Sequence, residues 1–271
     1  MQHPALQYAQ VARSYGLDVS HEAVTVTFKA AFKRLSAEYP NYGRDVGLQG
    51  GADEWWARVI KETLVEAMRS STEQNVSEDA AEQYESAVAA GLVTELLQRF
   101  AGAHGYELFD DVISFLQQLK ADHPHIKVVM ASNSDARVLS ACSSLGLSEW
   151  VSCDAAVLDD QGRRVVESSS TSQSEEPRSL TDGDAILSYT IGSMKPDALF
   201  FQRALALHPD AVRGDPLSAM YIGDDISEDA RGAQAAGLRS LWLDRDGKFD
   251  PNEHMDVKHV RTLMDVLPLL Q

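Results

Sequence analysis

The 271-residue sequence has two cysteines, Cys142 and Cys153, too few for a disulfide framework or a zinc-ligand set. Basic residues are also scarce: 24 Lys and Arg stand against 41 Asp and Glu, a formal net charge of −17. Nucleic acids and anionic membrane surfaces need clustered positive charge, so both partner classes are excluded. No stretch approaches the ~20 apolar residues of a spanning helix, and the polar start "MQHPALQYAQ" is unlike a signal peptide. We therefore expect a soluble cytoplasmic protein, with a nuclear location left open.

The N-terminal part of the chain, residues 5–100, carries helical patterns only. In "EAVTVTFKAAFKRL" apolar residues recur at intervals of three and four, which marks one buried helix face: Val24, Phe28, Ala31, Phe32 and Leu35. In "DEWWARVIKETLVEAM" the recurrence runs in steps of four: Trp55, Val59, Thr63 and Ala67. Another helix is predicted over "SEDAAEQYESAVAAGLVTELLQRF", with Ser77 as its N-cap. We predict an α-helical domain over residues 1–102.

Four aromatic residues lie close together in this part of the sequence: Tyr39, Tyr42, Trp55 and Trp56. They either line a substrate pocket or belong to the core of the helical domain. Aromatic residues at helical spacing more often pack in a core, which favours the second interpretation.

The later part of the chain alternates apolar runs with helices. Strands are predicted over 126–131, near 153–158, and over 219–223 and 239–244, with helices between them. Buried apolar strands separated by helices indicate a parallel sheet with right-handed crossovers. We predict an α/β core over residues 103–271, with its chemistry at the carboxyl ends of the strands.

One stretch of this core, residues 159–186, is rich in Ser and Glu and has few large apolar side chains. Such a composition does not repay the entropy of ordering the chain, so we predict a disordered insertion. A phosphorylated regulatory loop is the functional alternative.

Two segments place polar side chains at the carboxyl ends of predicted strands or before a helix, where parallel sheets carry their functional residues. Strand 126–131 ends at Ser132 and Asn133, where a hydroxyl beside a helix N-terminus can donate to an anionic oxygen. Lys195 precedes Pro196, which suits a first helical position and leaves the lysine extended towards a phosphate. Taken singly, Ser132 is also ordinary turn chemistry, and Lys195 is also an ordinary solvated lysine.

A third segment, "YIGDDISEDARGAQAAG", ends an apolar run in a cluster of acids. Asp225 and Glu228 have the spacing of an N-cap and the third helical residue, so we interpret this pair as a capping box. Asp224 at the strand tip and Asp229 one helical turn later fall outside that explanation. Their carboxylates are the hard oxygen ligands that Mg²⁺ takes, with water and substrate completing its coordination.

The serine at one strand end, the Lys-Pro pair before a helix and G-D-x-x-x-x-D at the next strand end resemble motifs II, III and IV of the haloacid dehalogenase-like (HAD) hydrolase superfamily. Within this superfamily, the segments "YPNYG" and "EWWARVI" are similar to those of the group called haloacid dehalogenase-like hydrolase domain-containing 3 and of its fungal relatives. The resemblance implies a Rossmann-like core, a helical C1-type cap and Mg²⁺-dependent transfer of a phosphoryl group from a small phosphorylated metabolite to an aspartate. The resemblance implies that Lys195 and Ser132 are catalytic and that, with Asn133, they bind the phosphoryl group. For Mg²⁺ it implies Asp224 and Asp229.

In that family motif I is a central strand that precedes the cap and ends in the attacking aspartate. Here the early acids Asp18, Asp45 and Asp53 follow no apolar strand. Asp244 in "SLWLDRDGK" looks like motif I, but the family strand order 5-4-1-2-3 places its strand two positions, about 10 Å, from the point of attack. We expect the 271 residues to lack the first central strand and its nucleophile and to be inactive alone. The missing strand has two possible explanations. Either the sequence is incomplete and its full form carries motif I upstream, or the protein is a genuine non-catalytic relative.

The predicted function is therefore a Mg²⁺-dependent phosphatase of a small phosphomonoester, whose nucleophile lies outside this sequence. The alternative is a non-catalytic binding or scaffold protein of the same fold. A 2-haloacid dehalogenase ranks lower, because carbon–halogen cleavage needs no metal and would leave the paired acids without a purpose.

Overall fold

The structure, a computed structural model, describes the following residues: 4–71, 77–150, 185–206 and 218–270. The chain divides by its contacts into a helical unit, residues 1–107 with 137–146, and an α/β unit, residues 108–136 with 147–271. The first break lies near the boundary predicted at residue 102, but residues 137–146, predicted in the core, group with the helical unit. Within the described ranges, no helix is both long and apolar enough to cross a membrane.

The helices and strands are, in chain order: α1 Pro4–Ser14, α2 His21–Glu38, α3 Gly51–Ser71, α4 Ser77–Ala89, α5 Leu92–Arg99, α6 Asp111–Asp122, β1 Ala131–Ser132, α7 Arg137–Ser144, β2 Ile186–Leu187, α8 Ser188–Ile191, α9 Ala198–Ala206, β3 Met220–Gly223, α10 Gly232–Ala235, β4 Arg239–Leu243 and β5 His259–Val260. The single helix predicted from Ser77 to Phe100 is two helices, because Gly91 between α4 and α5 adopts a left-handed φ of 109°.

The helical unit is built on the packing of α2 against α3. The predicted face of α3 is confirmed, since all four of its members are buried: Trp55, Val59, Thr63 and Ala67. In α2, Val24, Ala31 and Leu35 are buried, whereas Phe32 remains 36% exposed. A hydrogen bond joins the two helices, because Thr27 Oγ1 donates to the carbonyl of Thr63 at 2.9 Å.

The four aromatic residues singled out in the sequence, Tyr39, Tyr42, Trp55 and Trp56, belong to one hydrophobic cluster. The Trp55 ring lies 4.9 Å from that of Trp56 and 5.1 Å from that of Tyr42, and Tyr39 packs against the same cluster. The Arg137 guanidinium of α7 lies 5.2 Å from the centre of the Trp56 ring. This contact helps to explain why α7 groups with the helices.

The α/β unit has parallel strands flanked by helices, which confirms the predicted fold class. In the described residues β1 pairs with β2, and β3, β4 and β5 form a second sheet in that order. Helix α9 contributes Phe200 and Phe201, both fully buried, to the cluster beside Ile186 and Tyr221. Strands 219–223 and 239–244 are confirmed to within one residue as β3 and β4.

Within the described ranges no ladder joins β1 to β3. A side chain makes the connection, since the Tyr221 hydroxyl of β3 donates to the carbonyl of Ala131 in β1 at 2.8 Å. The strand predicted over 126–131 is longer than β1, since among the described residues the paired positions are Ala131 and Ser132, and the Met130 carbonyl before them accepts from the Ile186 N–H at 2.7 Å.

The predicted insertion over 159–186 lies outside the described residues as far as residue 184, as does the strand predicted near 153–158. The prediction is wrong for the last two residues of the insertion, because Ala185 and Ile186 are buried and Ile186 begins β2. The predicted end of the insertion is two residues too late, because the apolar residues Ala185 and Ile186 already pack in the core.

Candidate active site

The acidic segment after β3 folds as a capped π-helical turn over Ile226–Arg231. Asp225 is its N-cap, since its Oδ1 accepts from the N–H groups of Ser227 and Glu228 at 2.8 and 2.7 Å. The reciprocal half of the predicted capping box is wrong, because the Asp225 N–H donates to Asp229 Oδ2 at 2.9 Å rather than to Glu228. The wider winding of a π turn brings the residue four positions after the cap over its N–H.

Asp229 is also the counter-ion of Lys195. Its Oδ1 lies 2.5 Å from Lys195 Nζ, and the two side chains are only 4% and 11% exposed. A side chain at Gly223 would overlap the Asp229 carboxylate, so the glycine at the end of β3 is what allows this close approach. Both oxygens of Asp229 are therefore engaged, one by an ammonium group and the other by a backbone N–H.

Asn133, at the end of β1, holds the backbone of Lys195 at two points. Its Oδ1 accepts from the Lys195 N–H at 2.8 Å, and its Nδ2 donates to the Lys195 carbonyl at 3.0 Å. The same Nδ2 donates to Glu228 Oε2 at 3.1 Å. Asn133 was predicted to contact substrate, but the structure directs its amide to Lys195 and Glu228.

The two remaining predicted residues lie at the ends of their strands. Ser132 is half-buried, and its hydroxyl lies 2.6 Å from that of Ser134. Asp224 is exposed, and its carbonyl accepts from the indole N–H of Trp242 at 3.0 Å. The structure thus links the ends of β1 and β3 and the Lys195 loop through hydrogen bonds within one unit.

The electrostatics of the site follow from its crowded carboxylates. Burial raises the pKa of Glu228, and Asp225 raises it further, while Lys195 acts in the opposite direction. Burial likewise raises the pKa of the Tyr221 phenol, and the Asp229 charge adds to that effect. Tyr221 therefore keeps its proton at neutral pH, which it needs in order to donate to β1.

The carboxylates at the end of β3 are the side chains that could hold the Mg²⁺ that the resemblance implies. Among the described residues no three His, Cys, Asp or Glu side chains converge as a ready-made metal site. Mg²⁺ keeps several waters and often takes one or two protein carboxylates, so the exposed Asp224 fits as a ligand. Asp229, predicted as the second ligand, is paired with Lys195 in this structure, and its assignment to Mg²⁺ stays a prediction.

The other acids considered as nucleophiles are placed elsewhere. Asp244 is buried, and its two carboxylate oxygens accept from the N–H groups of Lys248 and Phe249 at 2.7 and 3.0 Å. These backbone donors outweigh the effect of burial and lower the pKa of Asp244. Its carboxylate therefore holds the turn after β4. The three early acids considered above, Asp18, Asp45 and Asp53, lie in the helical unit and are exposed.

Two residues of the site were missed by sequence reasoning, Tyr221 and Trp242. Each lies in a predicted strand, where an aromatic residue indicates only a buried position. Neither residue carried a signal that its polar atom reaches a carbonyl of another element. Their contacts depend on which strands become neighbours, which the local sequence does not encode.

Comparison with known proteins gives a consistent match along the chain. A family model described as haloacid dehalogenase-like hydrolase matches residues 3–237. The uncharacterized protein YMR130W of Saccharomyces cerevisiae is 26% identical over 255 residues, which cover 90% of this chain and 67% of that protein. Human haloacid dehalogenase-like hydrolase domain-containing protein 3 is 24% identical over 275 residues, covering 100% of this chain and 88% of that protein.

Solved structures give the same fold at lower identity. The HAD-hydrolase YfnB from Bacillus subtilis, bound to magnesium, aligns with a TM-score of 0.57 at 14% identity, over 98% of this chain and 90% of that one. A dehalogenase structure aligns with a TM-score of 0.55 at 19% identity, over 97% and 90%. Similarity at this level of identity establishes the α/β fold with its helical part and carries no information on substrate.

Proposed function

The chain belongs to the haloacid dehalogenase-like hydrolase family, and from that premise we propose that its α/β unit binds the phosphoryl group of a small phosphomonoester. The reaction we assign is Mg²⁺-dependent phosphate hydrolysis through an aspartyl-phosphate. The observation that carries the proposal is the linked arrangement of Lys195, Asn133 and Asp229 at the carboxyl ends of β1 and β3.

Lys195 supplies the positive charge for the phosphoryl oxygens. An ammonium group has three donors, and Asp229 takes one of them, which leaves two for an anionic substrate. Asp229 also keeps the flexible lysine stem in one orientation, which lowers the entropy lost on binding. Ser132 adds a hydroxyl donor at the end of β1.

Asp224 is the residue that we assign to Mg²⁺, with water and phosphoryl oxygens completing its coordination. When bound, Mg²⁺ neutralises the charge of the transferring group. The magnesium bound to the Bacillus subtilis relative agrees with this choice of ion. Trp242 supports Asp224 by donating to its carbonyl, which fixes the backbone from which the carboxylate extends.

The attacking carboxylate is the part that we do not assign to any of the 271 residues. Asp244 is engaged in its own turn, and the early acids Asp18, Asp45 and Asp53 follow no strand. In the part of the chain that the structure describes, no ladder joins β1 to β3, which supports the idea that a strand outside this sequence brings the nucleophile. We therefore propose that residues 1–271 bind phosphate without hydrolysing a phosphomonoester.

Hydrolysis of p-nitrophenyl phosphate with Mg²⁺ tests this proposal. We expect no turnover from residues 1–271, and turnover from a longer form whose added segment contains an apolar strand ending in aspartate. Robust turnover from residues 1–271 that Asp244→Asn abolishes would refute the assignment. The second candidate, a binding protein without activity, is favoured by the same missing carboxylate, and an inert longer form would select it.

A further inference from the structure

The Asn133 amide replaces a section of β-ladder beside Lys195. It accepts from the Lys195 N–H and donates to the Lys195 carbonyl, at 2.8 and 3.0 Å, as a paired strand would. These residues are 62 positions apart in the chain, so the contact fixes the Lys195 loop to the end of β1. Lys195 depends on this attachment, because Pro196, which follows it, has no N–H to donate.

A carboxamide has two possible orientations, and Glu228 selects one of them. An ionised carboxylate only accepts, so it faces the NH₂ group of Asn133, whose Nδ2 lies 3.1 Å from Glu228 Oε2. In the flipped orientation the Asn133 oxygen would face both the Glu228 carboxylate and the Lys195 carbonyl. Its NH₂ group would then face the Lys195 N–H, so all three hydrogen bonds would be lost.

We propose that Asn133 and Glu228 are positioning residues for Lys195, with Glu228 acting through the orientation of the Asn133 amide. This chain of contacts joins β1, the Lys195 loop and the π turn, and it directs the Lys195 ammonium to Asp229. Its value for phosphate binding rests on the proposed function, but the contacts and their test do not. Neither residue touches the phosphoryl group in this role.

A direct effect of charge is the competing explanation for Glu228. Its carboxylate lies near the Lys195 ammonium and attracts it without any help from Asn133. The substitution Glu228→Gln separates the two explanations, because glutamine loses the charge but keeps an oxygen that accepts from Asn133 Nδ2. Glu228→Ala removes both the charge and the acceptor.

The experiment measures how fast the Lys195 amino group of residues 1–271 is acetylated by an amine-reactive ester, followed by mass spectrometry; the group reacts as the free amine, after it has left Asp229 and lost a proton, and the ester's alcohol group leaves. Exposed Lys248 serves as the internal reference, and Glu253→Gln, whose side chain is 74% exposed, is the matched control variant. We expect Glu228→Ala to accelerate Lys195 acetylation roughly tenfold, the factor that the loss of one or two hydrogen bonds corresponds to. We expect Glu228→Gln and Glu253→Gln to react as the wild type does.

The relay through Asn133 is tested by combining substitutions. We expect Asn133→Ala to accelerate Lys195 as much as Glu228→Ala does, and the double variant to react no faster than Asn133→Ala. Equal acceleration by Glu228→Gln and Glu228→Ala would overturn the proposal. If Asn133→Ala does not fold, the comparison of these two Glu228 variants is sufficient to test the proposal. Acetylation requires neither phosphate nor turnover, so failure of the proposed function would leave this result unaffected.

Discussion

The Lys195–Asp229 pair gives the strongest expected effect of any substitution in the site. The two side chains are 11% and 4% exposed, so each charge depends on the other rather than on water. Removing one partner of such a buried pair leaves an uncompensated charge and costs about 3–5 kcal/mol. The substitutions are Lys195→Met, which keeps the apolar stem, and Asp229→Asn, which keeps an acceptor for the Asp225 N–H.

The double variant distinguishes a charge effect from a loss of packing. It buries no charge, and replacing both ions of a buried pair is often close to neutral. We expect the double variant to be more stable than either single variant, which corresponds to a coupling energy larger than about 3 kcal/mol.

The assay must report on the α/β unit alone, because a chain with two units does not have to unfold in one step. Native-state hydrogen exchange of peptides that cover β3 and β4 meets that requirement. Single variants should lose protection in these peptides, and the double variant should recover most of it. Additive losses would refute the reasoning, since they would mean that the two charges do not interact.

Three further substitutions test other parts of the structure. Gly223→Ala should cost about 1–3 kcal/mol by overpacking, because its methyl group would overlap the fixed Asp229 carboxylate, and thermal unfolding measures this. Burial alone would raise the pKa of Asp111, but the hydrogen bonds that it accepts from Arg245 lower this pKa below the ordinary 3.8. The Asp111 carboxylate therefore stabilises the folded state above pH 3.8, and this stabilisation is lost as the pH falls through the folded-state pKa. Acid titration of unfolding should show a smaller loss for Asp111→Asn than for the wild type. Tyr221→Phe should cost about 1–2 kcal/mol and increase hydrogen exchange in β1, because the half-buried Ala131 carbonyl loses its donor; unchanged exchange would contradict the bridging role.

Local regularity is what made parts of the fold predictable. The steps of four at Trp55, Val59 and Thr63 identify a buried face without any knowledge of the neighbouring helix, and all three residues are buried. The N-cap at Asp225 was predictable for the same reason, since a cap depends only on the residues that follow it. Such features lie within a few positions of one another in the chain.

Contacts between distant segments were not predictable in the same way. The acceptor for the Asn133 amide, Glu228, is 95 positions away, and the sequence indicated only a local cap for it. The length of β1 depends on its partner β2, which ends a polar stretch and carries just two paired residues, Ile186 and Leu187. Hydrogen bonds across such distances depend on the assembled sheet.

The most direct test of the phosphate site is calorimetric titration of residues 1–271 with inorganic phosphate in the presence of Mg²⁺. We predict binding that Ser132→Ala and Asp224→Asn each weaken about tenfold or more, as expected for the loss of a donor or of a metal ligand. Asp246→Asn, an exposed acid of the same unit, is the matched control and should bind as the wild type does. No binding by the wild type, or equal binding by Asp224→Asn and the wild type, would contradict the account.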